Sequence, residues 1–322
     1  MTTPQLNDLA IDERIAGSPR YYLRGDPERN MQVPDTLRKS VVFLAYNAKN
    51  GAVKLCGTAF FLSVPLPEVP GQGVIYLVTA RHCIEQANNS SIDAKVLLRM
   101  NLRAGGTAIA ETMAARWIFP EDERIDVALI AIGGDEFSAK VEFHHLPVAM
   151  CATDEVIASE GIGIGDEVFV IGLFTQHFGQ GSNIPILRAG NISSMPHEKV
   201  RTKRGQMDAI LVECRSIGGL SGSPVFVHLG TSRILPDGKY VTASGMARYH
   251  FLGVMHGHWD LPLESDAPLT TDGAFDSEKL NMGIGVVVPA SQILALIDRP
   301  DLVAMRDLAA KRLLSANLPT TD

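Results

Sequence analysis

The sequence predicts an all-β protein made of two six-stranded antiparallel β-barrels, followed by C-terminal helices. Short apolar runs rich in β-branched residues recur along the chain between Gly, Pro, Asn and Asp turns, a pattern typical of antiparallel barrels. The runs fall into two groups of about six, with a polar connection between them. A chain of 322 residues is also too long for one minimal core and fits either one large domain or two packed halves.

The first 38 residues are polar and lack sustained periodicity, so we interpret them as an N-terminal extension. The first barrel is expected over residues 39–145, with strands at 40–46, 52–64, 73–80, 95–102, 107–119 and 126–132. The second is expected over residues 146–290, with strands at 166–174, 184–195, 208–214, 223–229, 251–257 and 283–290. Two long insertions, 230–250 and 258–282, flank the strand near Gly253.

Residues 291–322 are interpreted as a helical tail. Apolar residues at helical spacing, interrupted at Pro300, predict a short helix followed by a longer one. One face of the longer helix carries the apolar residues Leu302, Met305, Leu308, Ala309 and Leu313. We expect that face to dock on the protein's own domain.

Composition and charge narrow the class of function. Hydrophobic residues make up 46% of the chain and charged residues 20%, which is typical of a globular protein. The net charge of −7 argues against a nucleic-acid partner, and the basic segment 198–205, EKVRTKRG, is interpreted as a solvated hairpin tip. No signal peptide or membrane span is recognisable, so we expect a cytoplasmic protein with no membrane partner.

Three segments carry the residue types of nucleophilic catalysis, each beside a predicted strand. A Ser hydroxyl needs a base, the base needs an orienting anion, and the oxyanion needs N–H donors. His82 follows a strand in YLVTARHC, and Asp126 heads the apolar strand DVALIAI, where an unpartnered carboxylate would be costly. Ser221 lies at the centre of GLSGSP, whose glycines allow the N–H groups of Gly219 and Ser221 to converge.

These segments resemble the triad segments of chymotrypsin-like (trypsin-like) serine proteases, in that family's order His, Asp, Ser. The resemblance extends to CGTAFFLSV and GIGVVVPASQILALI, covers roughly residues 40–298, and favours the bacterial-type domain. It implies a two-barrel fold with His82, Asp126 and Ser221 in the cleft between the barrels. It also implies a serine endopeptidase that acts on a peptide or protein through an acyl-enzyme, with no cofactor and no metal. The alternative is a catalytically silent or tightly regulated peptide-binding or scaffold protein, controlled by a partner protein.

The chain departs from the family pattern at two positions. Leu220 stands where digestive members carry an Asp that pairs with a new N-terminus, so activation by that route is not expected. Ser223 replaces a Gly and could be mistaken for the nucleophile, but Ser221 holds the motif position and is assigned that role. Cys56 and Cys83 lie where the family often has a disulfide; we favour reduced thiols and keep the disulfide as the alternative.

The resemblance also implies which segments line the substrate cleft, with the residues Arg215, His256, Gly257, His258, Gly283 and Gly285. At the base of the pocket Arg215 would favour an acidic side chain, and the alternative is an Arg215 that points to solvent. Glycines at the pocket rim would leave room for a large residue. His250, His256, His258 and Asp260 form a dense cluster, for which a zinc site is the alternative to cleft lining. We favour cleft lining.

Overall fold

A computed structural model of the chain describes residues 9–11, 21–23, 33–214, 218–242, 248–260 and 281–316. Within these ranges the protein is mostly β. A short hairpin of β1 (Leu9–Ile11) and β2 (Tyr21–Leu23) and the helix α1 (Asp35–Arg38) precede two larger sheets. Most of the predicted N-terminal extension lies outside the described residues.

The first sheet is a curled, open sheet of seven strands. In chain order these are β3 (Val41–Asn47), β4 (Val53–Pro65), β5 (Gly73–Thr79), β6 (Lys95–Asn101), β7 (Thr107–Met113), β8 (Ala128–Ile132) and β9 (Leu146–Pro147). They lie in the antiparallel order β7-β6-β3-β4-β5-β8, and the short β9 pairs in parallel with β4. Helix α2 (Arg81–Ser90) follows β5, and α3 (Asp135–Lys140) follows β8.

The predicted fold class is confirmed, and the six strands predicted for the first half form a curled sheet that stays open at one edge. A 3₁₀ turn at Ala114–Arg116 interrupts the strand expected over residues 107–119. The chain beyond the turn therefore meets β8 at one bridge, where Ile118 and Leu129 exchange main-chain hydrogen bonds of 2.7 and 2.9 Å. An edge strand that ends in a turn cannot extend a ladder, and the sheet stays open between β7 and β8.

The second sheet confirms the predicted closed barrel of six strands. Helix α4 (Asp154–Glu160) precedes it, and the strands of this half are β10 (Glu167–Gly172), β11 (Ile186–Ser194), β12 (Val200–Thr202), β13 (Gly205–Met207), β14 (Ile210–Glu213), β15 (Pro224–His228), β16 (Ser232–Ile234), β17 (Tyr240–Thr242), β18 (Tyr249–Asp260) and β19 (Asn281–Pro289). The barrel closes in the order β10-β11-β14-β19-β18-β15. The pairs β12–β13 and β16–β17 form separate hairpins, the second of them within the first long insertion. Residues 261–280 of the second insertion lie outside the described ranges.

Apolar side chains join the two sheets face to face. Phe60 of β4 packs on Phe251 of β18 with ring centroids 5.1 Å apart, and Phe251 packs in turn on Phe226 of β15 at 6.1 Å. All three rings are fully buried. Because aromatic side chains bury large apolar areas, this contact holds the two sheets face to face and brings their connecting loops together.

The C-terminal helices α5 (Ala290–Ile297) and α6 (Pro300–Ala316) follow the predicted division at Pro300. Pro300 is the first residue of α6, where its missing N–H costs nothing. None of the described helices is both long and apolar enough to cross a membrane.

The predicted docking face of α6 is largely wrong. The buried side chains are Leu302, Arg306 and Ala310, spaced four residues apart, whereas Met305 and Leu308 remain 37% and 50% exposed. Leu313 is also 36% exposed. Counting apolar residues passed over Arg306, whose guanidinium donates to the Ile297 carbonyl at 2.7 Å and to the Tyr76 hydroxyl at 3.3 Å. An Arg stem can be buried when its head group is hydrogen-bonded in this way.

Replacing Arg306 should therefore loosen α6 from the first sheet. Arg306→Ala removes hydrogen bonds from a charged donor and should lower the free energy of unfolding by about 1.5–3 kcal/mol. Arg312→Ala, on the exposed side of the same helix, should stay within about 0.5 kcal/mol of the parent. Urea denaturation monitored by circular dichroism measures both, and equal losses in the two variants would contradict this docking mode.

Candidate active site

The carboxylate of Asp126 lies in the loop before β8 and is fully buried. Its Oδ2 is 2.7 Å from Nδ1 of His82 and 2.5 Å from Nδ1 of His256. Its Oδ1 accepts the main-chain N–H of His82 at 2.9 Å and lies 3.3 Å from Nε of Arg204. An ionised carboxylate only accepts hydrogen bonds, so each imidazole donates from a protonated Nδ1. The three hydrogen-bond donors and the Arg204 cation satisfy a charge that burial alone would destabilise.

His82 is held at the first turn of α2, just after β5 ends at Thr79. Ala80 precedes the helix and provides no side-chain cap. The Asp126 carboxylate takes that role by accepting the His82 N–H, one of the N–H groups that a helix N-terminus leaves unpaired. Backbone and ring of His82 are therefore fixed by the same acid.

Asp126 and His82 stabilise each other's charged form. Burial opposes ionisation of Asp126, but the hydrogen bonds from His256 and His82 outweigh it and hold the pKa of the carboxyl well below its usual range. Burial also disfavours the charged form of His82, but the neighbouring Cys83 sulfur and the Asp126 carboxylate outweigh it and raise the pKa of the imidazole well above 6.5. The pair thus favours an ionised acid beside a readily protonated base.

Ser221 lies in the turn between β14 and β15. Gly219 and Gly222 adopt φ values of 102° and 81°, and a Cβ on Gly222 would lie 2.2 Å from the Thr58 carbonyl oxygen. Leu220 points into the core of the second barrel and anchors the turn there. The Ser221 hydroxyl donates to the His256 carbonyl at 3.4 Å, and among the described residues it has no hydrogen bond to His82.

A threonine of the first sheet clamps this turn. Thr58 donates its N–H to the Ser221 carbonyl and its hydroxyl to the Gly219 carbonyl, both at 2.9 Å. The same hydroxyl accepts the Leu173 N–H at 2.9 Å, and the Thr58 carbonyl accepts the Thr79 hydroxyl at 2.6 Å. Sequence reasoning missed Thr58 because a threonine within CGTAFF is an ordinary strand residue.

The second serine of the motif has a different environment. Ser223 is fully buried against Gly172, and its hydroxyl has no hydrogen-bond partner among the described atoms. Its N–H donates to the Leu220 carbonyl at 3.0 Å. Ser221 is the partly exposed serine of the two.

The basic segment 198–205 forms the hairpin β12–β13, but its interpretation as a solvated tip is wrong for Arg204. Besides Asp126, Arg204 pairs with Glu85 of α2 and donates to the Glu123 carbonyl at 3.1 Å. Burial, and then the positive charge of Arg81, lower the pKa of Arg204. No periodic pattern marks such a residue, since a basic run in a sequence indicates only charge.

The structure describes some of the residues predicted to line the cleft but not all of them. His256 lies at a β-bulge of β18, between the pairs Met255–Val287 and Gly257–Val286, and its ring turns to Asp126. Gly257, Gly283 and Gly285 lie on the paired strands β18 and β19. Arg215 and the side chain of His258 lie outside the described residues, so their roles stay predictions.

The four cysteines are free thiols. Cys83 lies beside the imidazole of His82, with its Sγ 3.8 Å from Nε2. Burial, and then the charge of Cys83, raise the pKa of the Cys56 thiol. This arrangement matches the favoured reduced state.

Within the described part of the chain, one cluster could offer three ligands to a metal: His82, Asp126 and His256. Two ligands of a tetrahedral zinc ion lie about 3.3 Å apart, given Zn–N bonds of about 2.0–2.1 Å. The observed N–O separations of 2.5 and 2.7 Å are shorter and match hydrogen bonds. The distances within the cluster therefore fit hydrogen bonding better than metal coordination.

Comparisons with known proteins place this geometry in a family. The model of the trypsin-like peptidase domain matches residues 57–231, slightly more than half of the chain. No curated protein matches the chain significantly.

Several solved structures are similar. The protease domain of MamO from Magnetospirillum magneticum is 13% identical with a TM-score of 0.47, covering 82% of this chain and 98% of that one. An inactive mutant of Rv3671c from M. tuberculosis H37Rv is 15% identical with a TM-score of 0.39, covering 86% and 95%. The chymotrypsin of Cellulomonas bogoriensis is 15% identical with a TM-score of 0.29, covering 68% and 81%. From the family match, the chain belongs to the trypsin-like peptidase domain family.

Proposed function

We propose that the protein is a serine endopeptidase in which Ser221 attacks the peptide carbonyl, His82 accepts its proton, and Asp126 fixes the imidazole. The observation that carries this proposal is the 2.7 Å hydrogen bond between Nδ1 of His82 and the buried Asp126 carboxylate. It selects the tautomer in which Nε2 of His82 is unprotonated and can accept a proton. Family membership supports a peptidase in general.

The reaction requires one local rearrangement. The Ser221 hydroxyl must exchange its contact with the His256 carbonyl for one with Nε2 of His82. Attack then forms a tetrahedral oxyanion, and expulsion of the amine, protonated by His82, leaves an acyl-enzyme that water hydrolyses. The N–H groups of Gly219 and Ser221 have no acceptor among the described residues, and we assign them to the oxyanion.

The proposed substrate is a peptide segment of a cytoplasmic protein, bound without a metal or cofactor. The strand pair β18–β19 runs past His256 and offers the cleft wall. Selection of an acidic side chain by Arg215 remains part of the same proposal.

A second candidate function is a regulated or catalytically silent peptide-binding protein. The hydrogen bond of Ser221 to His256, in place of His82, favours it, because a nucleophile without its base is inactive. In that case a partner protein would release the hydroxyl. The two candidates differ in whether the purified chain reacts with an acylating probe.

A fluorophosphonate probe should label the purified protein on Ser221. Ser221→Ala should abolish labelling because it removes the proposed nucleophile. Ser223→Ala is the matched control and should keep its labelling, since the Ser223 hydroxyl is buried. Mass spectrometry of the labelled peptide identifies the modified residue.

Two outcomes decide against the proposal. Labelling that survives in Ser221→Ala would remove Ser221 from the nucleophile position. An unlabelled wild-type protein that folds and binds peptides from a library would support the silent peptide-binding function.

Activity should rise with pH and reach its plateau only above the usual range for histidine. His82 must be neutral to accept a proton, and its pKa is raised well above 6.5. Activity is therefore lost as the pH falls through that raised value. The labelling rate measured between pH 5 and pH 10 tests this, with circular dichroism showing that the fold persists, and an acid limb at or below pH 6.5 would contradict it.

The Thr58 clamp should be needed for activity. Thr58→Val keeps the shape of the side chain but removes its hydroxyl bonds to Gly219 and Leu173. A loss of about 1–3 kcal/mol in the transition state would slow labelling roughly 10- to 100-fold. Ser63→Ala removes another buried hydroxyl of β4, bonded to Leu146 at 3.4 Å, and should leave the rate unchanged; equal loss in both variants would assign the effect to general destabilisation.

A further inference from the structure

A second imidazole shares the acid of the proposed triad. His82 and His256 both place Nδ1 on Oδ2 of Asp126, at 2.7 and 2.5 Å. Their rings meet edge to face with centroids 5.5 Å apart. One carboxylate oxygen therefore receives a donor from each of the two sheets, because His82 follows β5 and His256 belongs to β18.

The bulge in β18 produces this contact. His256 is the extra residue between the paired Met255 and Gly257, and Met255 is fully buried in the second barrel. In a regular strand, successive side chains alternate between the faces, and a bulge changes the direction of the side chain at the extra residue. The same residue touches the nucleophile through its main chain, since its carbonyl accepts the Ser221 hydroxyl.

The contact also affects how strongly Asp126 binds His82, because the two carboxylate oxygens have different partners. Oδ1 is occupied by the His82 N–H and Arg204, so Oδ2 is the oxygen available to stabilise a protonated His82. With His256 on the same oxygen, part of its hydrogen-bonding capacity is used by a second ring. A carboxylate that loses a donor becomes a stronger acceptor for the donors that remain.

We propose that His256 is a positioning residue of the triad: it holds Oδ2 of Asp126 in line with His82 and moderates the pull of that oxygen on the His82 proton. This role rests on the proposed peptidase function. The hydrogen bond of the His256 ring goes to Asp126, and through that carboxylate the ring acts on His82. The ionisable groups in contact with its ring are Asp126 and His82. These two groups are contacted in turn by Arg204 of the hairpin β12–β13 and by Cys83 of α2, and Arg204 pairs with Glu85, the partner of Arg81.

Three variants at position 256 distinguish the effect of the hydrogen-bond donor from the effect of the size of the ring. In His256→Asn the side-chain amide nitrogen takes the place of Nδ1 and keeps the donor. In His256→Gln the same amide lies one carbon further out, and in His256→Leu no donor remains. The labelling rate with a fluorophosphonate is measured for each variant from pH 5 to pH 10.

We expect His256→Leu and His256→Gln to label roughly 10- to 100-fold more slowly than wild type, as for loss of a hydrogen bond to a buried charge. Their acid limbs should move to higher pH, because Asp126 then pulls harder on the His82 proton. His256→Asn should stay within about threefold of wild type, with its acid limb unmoved. A purely structural role predicts slower labelling without a moved limb.

A measurement without turnover tests the same contact. Imidazole N–H protons bonded to a carboxylate resonate downfield of the amide region in ¹H NMR. Wild type should show two such signals, His256→Asn should lose one, and His82→Asn should lose the other. This readout also serves if His256→Leu does not fold.

The outcomes are distinguishable. If wild type is never labelled, the peptidase function fails, and the positioning role fails with it even when both NMR signals are present. If wild type is labelled while His256→Leu keeps its rate and its acid limb, only the positioning role is overturned. A His256→Asn protein as slow as His256→Leu, or a single downfield signal that His256→Asn retains, also overturns it.

Discussion

The buried carboxylate of Asp126 is the constraint on which the rest of this site depends. Taking an ion out of water costs several kcal/mol unless hydrogen bonds replace the lost hydration. Those hydrogen bonds come from α2 through His82 and from β18 through His256, and Arg204 of the hairpin β12–β13 adds an ion pair. The charge is therefore satisfied only when both sheets and the hairpin are in place, so the site depends on the packing of the whole domain.

The turn that carries Ser221 depends on the same junction between the sheets. Ser221 belongs to the second barrel, but Thr58 of the first sheet binds the carbonyls on both sides of Leu220. Gly222 lies so close to Thr58 that any larger residue would push the turn away from the first sheet. Positioning by rigid strands from two sheets is more restrictive than positioning by a loop alone, as expected where reacting groups must be aligned.

Much of the fold could be predicted from the sequence because strands leave a local pattern. Most of the predicted strands lie within a few residues of the predicted ranges. The errors concern features that a local pattern does not record. Strand β7 ends at Met113, well before the predicted end at 119, because a 3₁₀ turn at Ala114–Arg116 follows it. Helix α6 docks through Arg306. A count of hydrophobic residues omits arginine because it is charged, although its aliphatic stem can be buried.

The sequence by itself determined where the strands lie along the chain. It also singled out His82, Asp126 and Ser221, because the first two stand at strand ends and Ser221 stands among glycines that allow a tight turn. The tertiary structure alone decided that His256 and Arg204 meet Asp126 and that Thr58 meets Gly219. His256 and Asp126 are 130 residues apart in the chain, and Thr58 and Gly219 are 161 apart. Periodicity reports the neighbours a few residues away, whereas these contacts arise only when two sheets pack and a bulge turns one ring toward a buried charge.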